Sequence, residues 1–278
     1  MTSTAELRSP SRDAVAEEVL AALDERRQIF PLTSRDGGLD LGEAYGIAAA
    51  VRRAREARGE RVVGRKAGFT NRTIWDEYGV HAPIWGYVYD RTLHRLDDLD
   101  GFDLSALVEP RIEPEIVLGL GRAPEAGMDE RALLGCVDWV SHGFEIVQSL
   151  YPGWRFRAAD TIAAFGLHGA LLLGPRRAIA AENADPWRER LARFEISLVR
   201  DGVEVDRGHA ANVLGGGPLA ALSHLVQVLA VDPNNPPLAP GEIVTTGTLT
   251  RALPIAPGER WSTRLDGLAL EGIAVAFR

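Results

Sequence analysis

The run Arg111-Ile-Glu-Pro-Glu-Ile-Val-Leu118 sets two carboxylates, Glu113 and Glu115, two residues apart in an otherwise apolar segment. Strand side chains alternate between faces, so a strand here puts both acids on one face and Ile112, Pro114 and Ile116 on the other. Two such acids repel each other and lose hydration, which is costly unless a cation, a proton or a basic side chain compensates. A third acid, Glu145, stands in a second apolar segment, Gly143-Phe-Glu-Ile-Val-Gln148. With no His-x-x-x-His or cysteine pattern nearby, an all-oxygen set suits Mg²⁺ or Mn²⁺ rather than zinc. Three protein carboxylates leave room for water and a bidentate substrate. A Glu-x-Glu pair is also common on solvated strands, so the apolar flanks and the third acid carry the argument.

Composition narrows the partners more than the fold. A net charge of -8 argues against nucleic acid or an anionic membrane as partner. The chain is long enough, at 278 residues, to bury a full core. Cys136 is the only cysteine, which excludes an intrachain disulfide and a thiolate metal cluster, and its neighbours predict a small buried hydrophobe. The opening MTSTAELRSPSRD has no apolar signal core and no segment approaches a membrane span, so the expectation is a soluble, cytoplasmic protein.

Along the chain, residues 1–12 read as a flexible tail, rich in Ser, Thr, Pro and Arg. Val15, Val19, Leu20 and Leu23 recur at helical spacing from Asp13. Asp40 and Glu43 form an Asp variant of the capping box before a helix that runs to about Arg58 and ends at Gly59, with Arg52, Arg53, Arg55 and Arg58 on a solvated face. Residues 13–65 make a helical N-terminal portion and 66–278 a β-rich body. Trp75 to Asp90 reads as a long loop between short extended pieces, able to wall a pocket. Strands are expected near 112–120, 136–149, 168–174, 192–200, 243–249 and 271–277, with helices near 185–191 and from Pro218 to Leu229. The pattern is α+β rather than alternating βαβ.

Other candidates are weaker when read alone. Lys66, within Val62-Val-Gly-Arg-Lys-Ala-Gly-Phe-Thr70, is either a lysine snorkelling from a strand end or a cation for an anionic substrate. His142 and His168 fall in the suspected site segments, as structural histidines or as proton carriers. Gly215-Gly-Gly-Pro218 before a helix is either an anion-binding turn or simply a turn. A Ser-His-Asp hydrolase lacks a Gly-x-Ser-x-Gly elbow.

Together these segments resemble the fumarylacetoacetate hydrolase superfamily, and within it the 2-keto-4-pentenoate hydratase and 4-oxalocrotonate decarboxylase branch of aromatic-compound catabolism. The resemblance runs from about Phe30 to the C-terminus. It rests on Gly42-Glu-Ala-Tyr45, the Lys66 segment, Arg111-Ile-Glu-Pro-Glu-Ile116, Phe144-Glu-Ile-Val147, Asp160-Thr-Ile-Ala-Ala164, Val213-Leu-Gly215 with Pro218-Leu-Ala-Ala-Leu222, and Gly241-Glu-Ile-Val-Thr-Thr-Gly-Thr-Leu-Thr250. It implies the superfamily's layered mixed β-sheet body, Mg²⁺ or Mn²⁺ held by Glu113, Glu115 and Glu145, Lys66 beside a small 2-oxo acid substrate, and substrate contacts from Thr70, Gln148 and Thr248. It further implies a homo-oligomer, and in some pathways a hydratase–decarboxylase complex.

The chain departs from the branch around the triad. The usual Asp-Ser-Arg after the third acid is Gln148-Ser-Leu150, the usual Ala-Asp-Asn-Ala-Ser is Ala163-Ala-Phe-Gly-Leu167, and the usual Pro-Ala before the third acid is His142-Gly143. The reading is therefore a metal-dependent lyase of 2-oxo or 2-hydroxydienoic acids, hydratase first, with His142 or His168 standing in for a lost proton-transfer group. Alternatives are a 4-oxalocrotonate-type decarboxylase, an acylpyruvate-type C–C hydrolase, and a non-catalytic partner subunit.

Overall fold

The computed structural model describes residues 11 to 278. In chain order the elements are α1 (Arg12–Asp24), α2 (Leu41–Ala57), β1 (Val62–Gly68), α3 (Trp75–Tyr78), β2 (Ile84–Tyr89), β3 (Leu93–Arg95), β4 (Arg111–Leu120), α4 (Glu130–Leu134), β5 (Val137–Val147) and α5 (Ala158–Ala163). They continue with β6 (His168–Ala178), α6 (Ala184–Leu191), β7 (Glu195–Arg200), β8 (Val203–His209), α7 (Pro218–Ala230), β9 (Ile243–Thr245), β10 (Leu253–Pro254), β11 (Arg260–Asp266) and β12 (Ala274–Ala276). Among the described residues no helix is long and apolar enough to cross a membrane.

The chain folds as α+β around a curled mixed sheet in the order β2-β1-β9-β4-β5-β6-β3, with β10 also paired to β4. Its centre is the antiparallel β4/β5 pair, in register from Arg111 opposite Val147 to Gly119 opposite Trp139, with a bulge before Leu120 meets Val137. A second sheet, β12-β11-β7-β8, packs on the outer face, where Ile112, Phe144, Ile146 and Leu172 meet Leu198, Trp261 and Val275. Further along the same face of β4, Ile116 and Leu118 pack with Leu219, Leu222 and Leu225 of α7. Each such fully buried side chain contributes about 2 kcal/mol. That gain offsets the cost of carrying Glu113 and Glu115 on the inner face, where Val88, Val117, Leu171, Leu173 and Ile243 form a smaller cluster.

The N-terminal helices pack through Val15, Val19, Leu20, Ile47 and Val51. Ser11 caps α1 by accepting the Ala14 N–H, and Arg12 forks onto Glu43 at 2.8 and 3.0 Å, so these two residues, expected in the tail, are part of the folded chain. The expectation for residues 1–10 lies outside the described residues. Asp40 caps α2 by accepting the Glu43 N–H, but the Glu43 carboxylate is taken by Arg12, so only half of the expected capping box forms. Arg55 is not on a solvated face. It is buried, pairs with Glu60 at 2.6 Å, and lies 3.9 Å over the Tyr89 ring.

Trp75 to Asp90 holds α3 and the fully buried β2 rather than one long loop. The expected strand at 243–249 stops at Thr245, because Gly247 turns the chain at φ 96°. Strands β8 and β11 were not anticipated: their sequences, VEVDRGH and RWSTRLD, are polar, and β8 leaves much of its length exposed. Gly215-Gly-Gly217 is a turn whose N–H groups are spent on Ala211 and Val213 carbonyls, so it is no anion cradle.

Candidate metal centre and active site

Glu113 and Glu145 are direct cross-strand partners on β4 and β5, and Glu115 follows one pleat along. Each offers an oxygen within 4.8 Å of the others. Glu115 and Glu145 are fully buried, while Glu113 keeps 9% exposure toward a narrow cleft. Glu115 Oε2 accepts the Gly247 N–H at 2.8 Å. Gly247 must be glycine, since its φ is positive and a Cβ would stand 1.7 Å from Thr70 Oγ1. Among the described residues, Glu115 Oε1 and Glu145 Oε2 have no hydrogen-bond donor.

Lys66 projects from β1 into the same interior, buried to 2% exposure. Its Nζ lies 3.2 Å from Glu145 Oε2, an ion-pair distance without hydrogen-bond geometry, and donates to Gly166 O at 3.0 Å. That carbonyl is presented by Phe165, Gly166 and Leu167, three consecutive residues at φ 60 to 64°. Such a run costs roughly 1–3 kcal/mol for each non-glycine residue. Phe165 and Leu167 anchor it by burying their side chains in separate apolar clusters.

His168 reaches the centre through a β-bulge. Ile146 pairs with Ala170 but Val147 with His168, which leaves Gly169 unpaired and turns His168 to the Glu145 side. Its Nδ1 lies 2.8 Å from Glu145 Oε1 and its Nε2 2.9 Å from Thr92 Oγ1.

The charge balance of this interior is uneven. With all three carboxylates ionised against one ammonium, two negative charges would be left buried beside a neutral His168, and burial outweighs Glu145 in holding His168 below its ordinary value. Burial, with Glu145 adding to it, pushes Glu113 up to about 7, and burial with both neighbouring acids pushes Glu115 well up. Burial would also raise Glu145, but Lys66 and the His168 bond outweigh it and hold that carboxyl below its ordinary range. Burial opposes the Lys66 charge, yet the three acids overcome it and the ammonium is stabilised. The orphaned oxygens, the surplus of two charges and the all-oxygen donor set fit a hard divalent cation.

Other expected site residues lie elsewhere. His142 is an odd number of residues from Glu145, so the pleat turns it to the outer face. There its Nδ1 meets Glu115 O at 2.8 Å and its Nε2 meets Thr263 Oγ1 at 2.9 Å, linking the two sheets. Gln148 Oε1 accepts the Val108 N–H. Thr248 donates to Thr250 O, and Thr70 donates to Thr246 O beneath Gly247. These four shape the backbone around the centre and do not line the cleft.

The cleft itself is lined by Lys66 and Glu113 together with Phe69, Tyr78, Val147, Trp154, Leu167 and Ala252. Tyr78 confirms the expected wall from the 75–90 segment. At its rim Arg111 donates to Tyr78 Oη at 2.6 Å and stacks 4.2 Å from the Trp154 ring. Arg111 shares the strand parity of Glu113 and was legible in the sequence on that ground, whereas nothing local marked Thr92 or the Gly166 carbonyl.

No family model matches the chain. It is 28% identical to 2-hydroxyhexa-2,4-dienoate hydratase of Comamonas testosteroni, over 91% of this chain and 92% of that one. It is 30% identical to 2-keto-4-pentenoate hydratase 2 of Dechloromonas aromatica strain RCB, over 92% and 94%. The chain belongs to the hydratase and decarboxylase branch of the fumarylacetoacetate hydrolase superfamily. As a member of that branch it is an enzyme, and its fold matches a solved structure of 4-oxalocrotonate decarboxylase from Pseudomonas putida G7, complexed with magnesium and adipate. That match has a TM-score of 0.84 at 27% identity and covers 98% of this chain and 100% of the other.

Proposed function

We propose that this member of the branch is a Mg²⁺- or Mn²⁺-dependent lyase of small 2-oxo acids, acting first as a 2-keto-4-pentenoate-type hydratase on 2-hydroxydienoic substrates. The observation that carries the reading is the convergence of Glu113, Glu115, Glu145 and Lys66 in one buried cluster, from which Glu113 and Lys66 face the cleft. The three carboxylates would hold the cation, which when bound supplies the positive charge that stabilises oxyanion character on a 2-oxo acid.

Lys66 performs the rest of the polar chemistry. An ammonium has three donors. One is bonded to Gly166 O and the ion pair with Glu145 restrains the group further, leaving a donor to meet the substrate or carry a proton to a chain carbon. Phe69, Val147, Trp154 and Leu167 give the unsaturated tail an apolar seat and limit water around it. A second reading, decarboxylation of a vinylogous oxo diacid, draws support from Arg111, whose guanidinium at the cleft rim offers a countercharge to a second carboxylate.

The test is to assay purified, chelator-treated chain against 2-hydroxypenta-2,4-dienoate and 2-oxohex-3-enedioate with and without added Mg²⁺. Metal-dependent loss of the dienoate supports the hydratase; metal-dependent CO₂ release from the diacid supports the decarboxylase. Turnover that persists after exhaustive chelation contradicts both.

A further inference from the structure

Glu145 is the only one of the three acids gripped by a histidine, and that histidine is held in turn. His168 Nδ1 stands 2.8 Å from Glu145 Oε1, its Nε2 stands 2.9 Å from Thr92 Oγ1, and both imidazole and carboxylate are buried. An ionised carboxylate can only accept, so Nδ1 carries the proton and Nε2 is left as an acceptor. The single Thr92 hydroxyl proton has two acceptors in reach, Nε2 at 2.9 Å and Tyr89 O at 3.1 Å; directed to the nearer, it supplies the donor that Nε2 requires. Thr92 is fixed by the turn after β2, where its Oγ1 accepts the Tyr89 N–H at 3.3 Å. The line from Tyr89 through Thr92 and His168 therefore ends on a single oxygen of Glu145.

The other oxygen, Oε2, has no hydrogen bond and lies 3.2 Å from Lys66. Without the imidazole, Glu145 would lose the only hydrogen bond that fixes Oε1, leaving the Lys66 pair on Oε2 as its one remaining polar restraint among the described residues. His168 is buried beside Glu145 with both ring nitrogens already engaged, so it has no free nitrogen to offer a substrate carbon. Its arrival at Glu145 depends on the Gly169 bulge, and a Cβ at Gly169 would stand 2.7 Å from Ile146 O.

We propose that Thr92 and His168 form a positioning relay that fixes the rotation of Glu145 and thereby sets the affinity of the three-carboxylate centre for its divalent cation. His168 is thus a positioning residue, not a proton carrier. The proposal rests on the reading of Glu113, Glu115 and Glu145 as the cation's ligands. Hydrogen-bonded partners of metal ligands commonly change affinity by about 10–100-fold when removed.

The test is Mn²⁺ binding to substrate-free protein, followed by calorimetry and by the electron paramagnetic resonance of free Mn²⁺, with melting temperature as the control for folding. His168→Leu is expected to weaken Mn²⁺ by at least 10-fold. His168→Asn, whose amide can donate from nearly the Nδ1 position, should recover most of that loss, and Thr92→Val should fall between. If His168→Leu does not fold, His168→Asn and Thr92→Val carry the comparison against wild type, with Thr92→Val again the weaker binder. Affinities for all folded variants within twofold of wild type would overturn the relay. If wild type itself binds no Mn²⁺, the reading of the three acids fails and the relay falls with it, which is a distinct result from equal binding by all variants.

Discussion

At the scale of single residues, the centre works through who is left without a partner. Glu115 has one oxygen on the Gly247 N–H and one with none. Replacing it by Gln keeps the volume but removes a charge, and should weaken Mn²⁺ by at least 10-fold while the melting temperature of the metal-free protein holds or rises, because buried repulsion is relieved. A melt that falls sharply would show that the charge serves folding instead. Lys66→Ala should lower kcat by about 10²-fold or more, the usual range for a group that moves a proton. An unchanged kcat/KM would remove Lys66 from the mechanism. The chemistry of Lys66 could be suspected from its small and apolar neighbours, but its burial against Glu145 could not, because β1 and β5 are not adjacent in the sheet.

At the scale of elements, strand parity explains both what was legible and what was not. Glu113 and Glu115 share a face two residues apart, and the apolar residues around them, Ile112, Pro114, Ile116 and Val117, mark the strand. The same rule, applied to the three-residue offset of His142 from Glu145, sends that histidine outward to Thr263. His168 escapes the rule because the Gly169 bulge resets the alternation, and a bulge leaves no local signature beyond a glycine. Thr248, Gln148 and Thr70 were drawn to the centre by their positions in matching motifs, yet each spends its side chain on backbone groups nearby. Gly247 is the element most open to test. Gly247→Ala meets both a positive φ and the Thr70 side chain, so it should lower the melting temperature and, by displacing the N–H from Glu115, weaken Mn²⁺ as well. The double variant Gly247→Ala with Thr70→Ala removes the hydroxyl that a Cβ would meet but still lacks the φ freedom, and should not be rescued; full recovery would mean that crowding alone required the glycine.

At the scale of the whole molecule, the two sheets are joined across His142, and that joint is sensitive to acid. Burial holds His142 down to about 4, against 6.5 as its ordinary value. The unfolded chain therefore binds the extra proton first. Stability from this group is complete above pH 6.5 and is lost as pH falls toward 4, by about 3 kcal/mol in all. His142→Gln should be less stable than wild type at pH 7 and should show a shallower loss of stability across that window; identical slopes would contradict the neutral, buried imidazole. The overall α+β order was readable because the strands near 112, 137 and 168 are apolar runs, and β8 and β11 were not because these two strands of the second sheet are polar and partly exposed.

All of these results meet in one place, the space enclosed by Glu113, Glu115 and Glu145. Crystals grown with Mn²⁺ and measured near the manganese absorption edge would locate the ion by its anomalous signal. The account predicts one strong peak bonded to an oxygen of each of the three glutamates, with Lys66 outside its coordination shell. A peak elsewhere, or none in this space from protein that turns over its substrate, would contradict it.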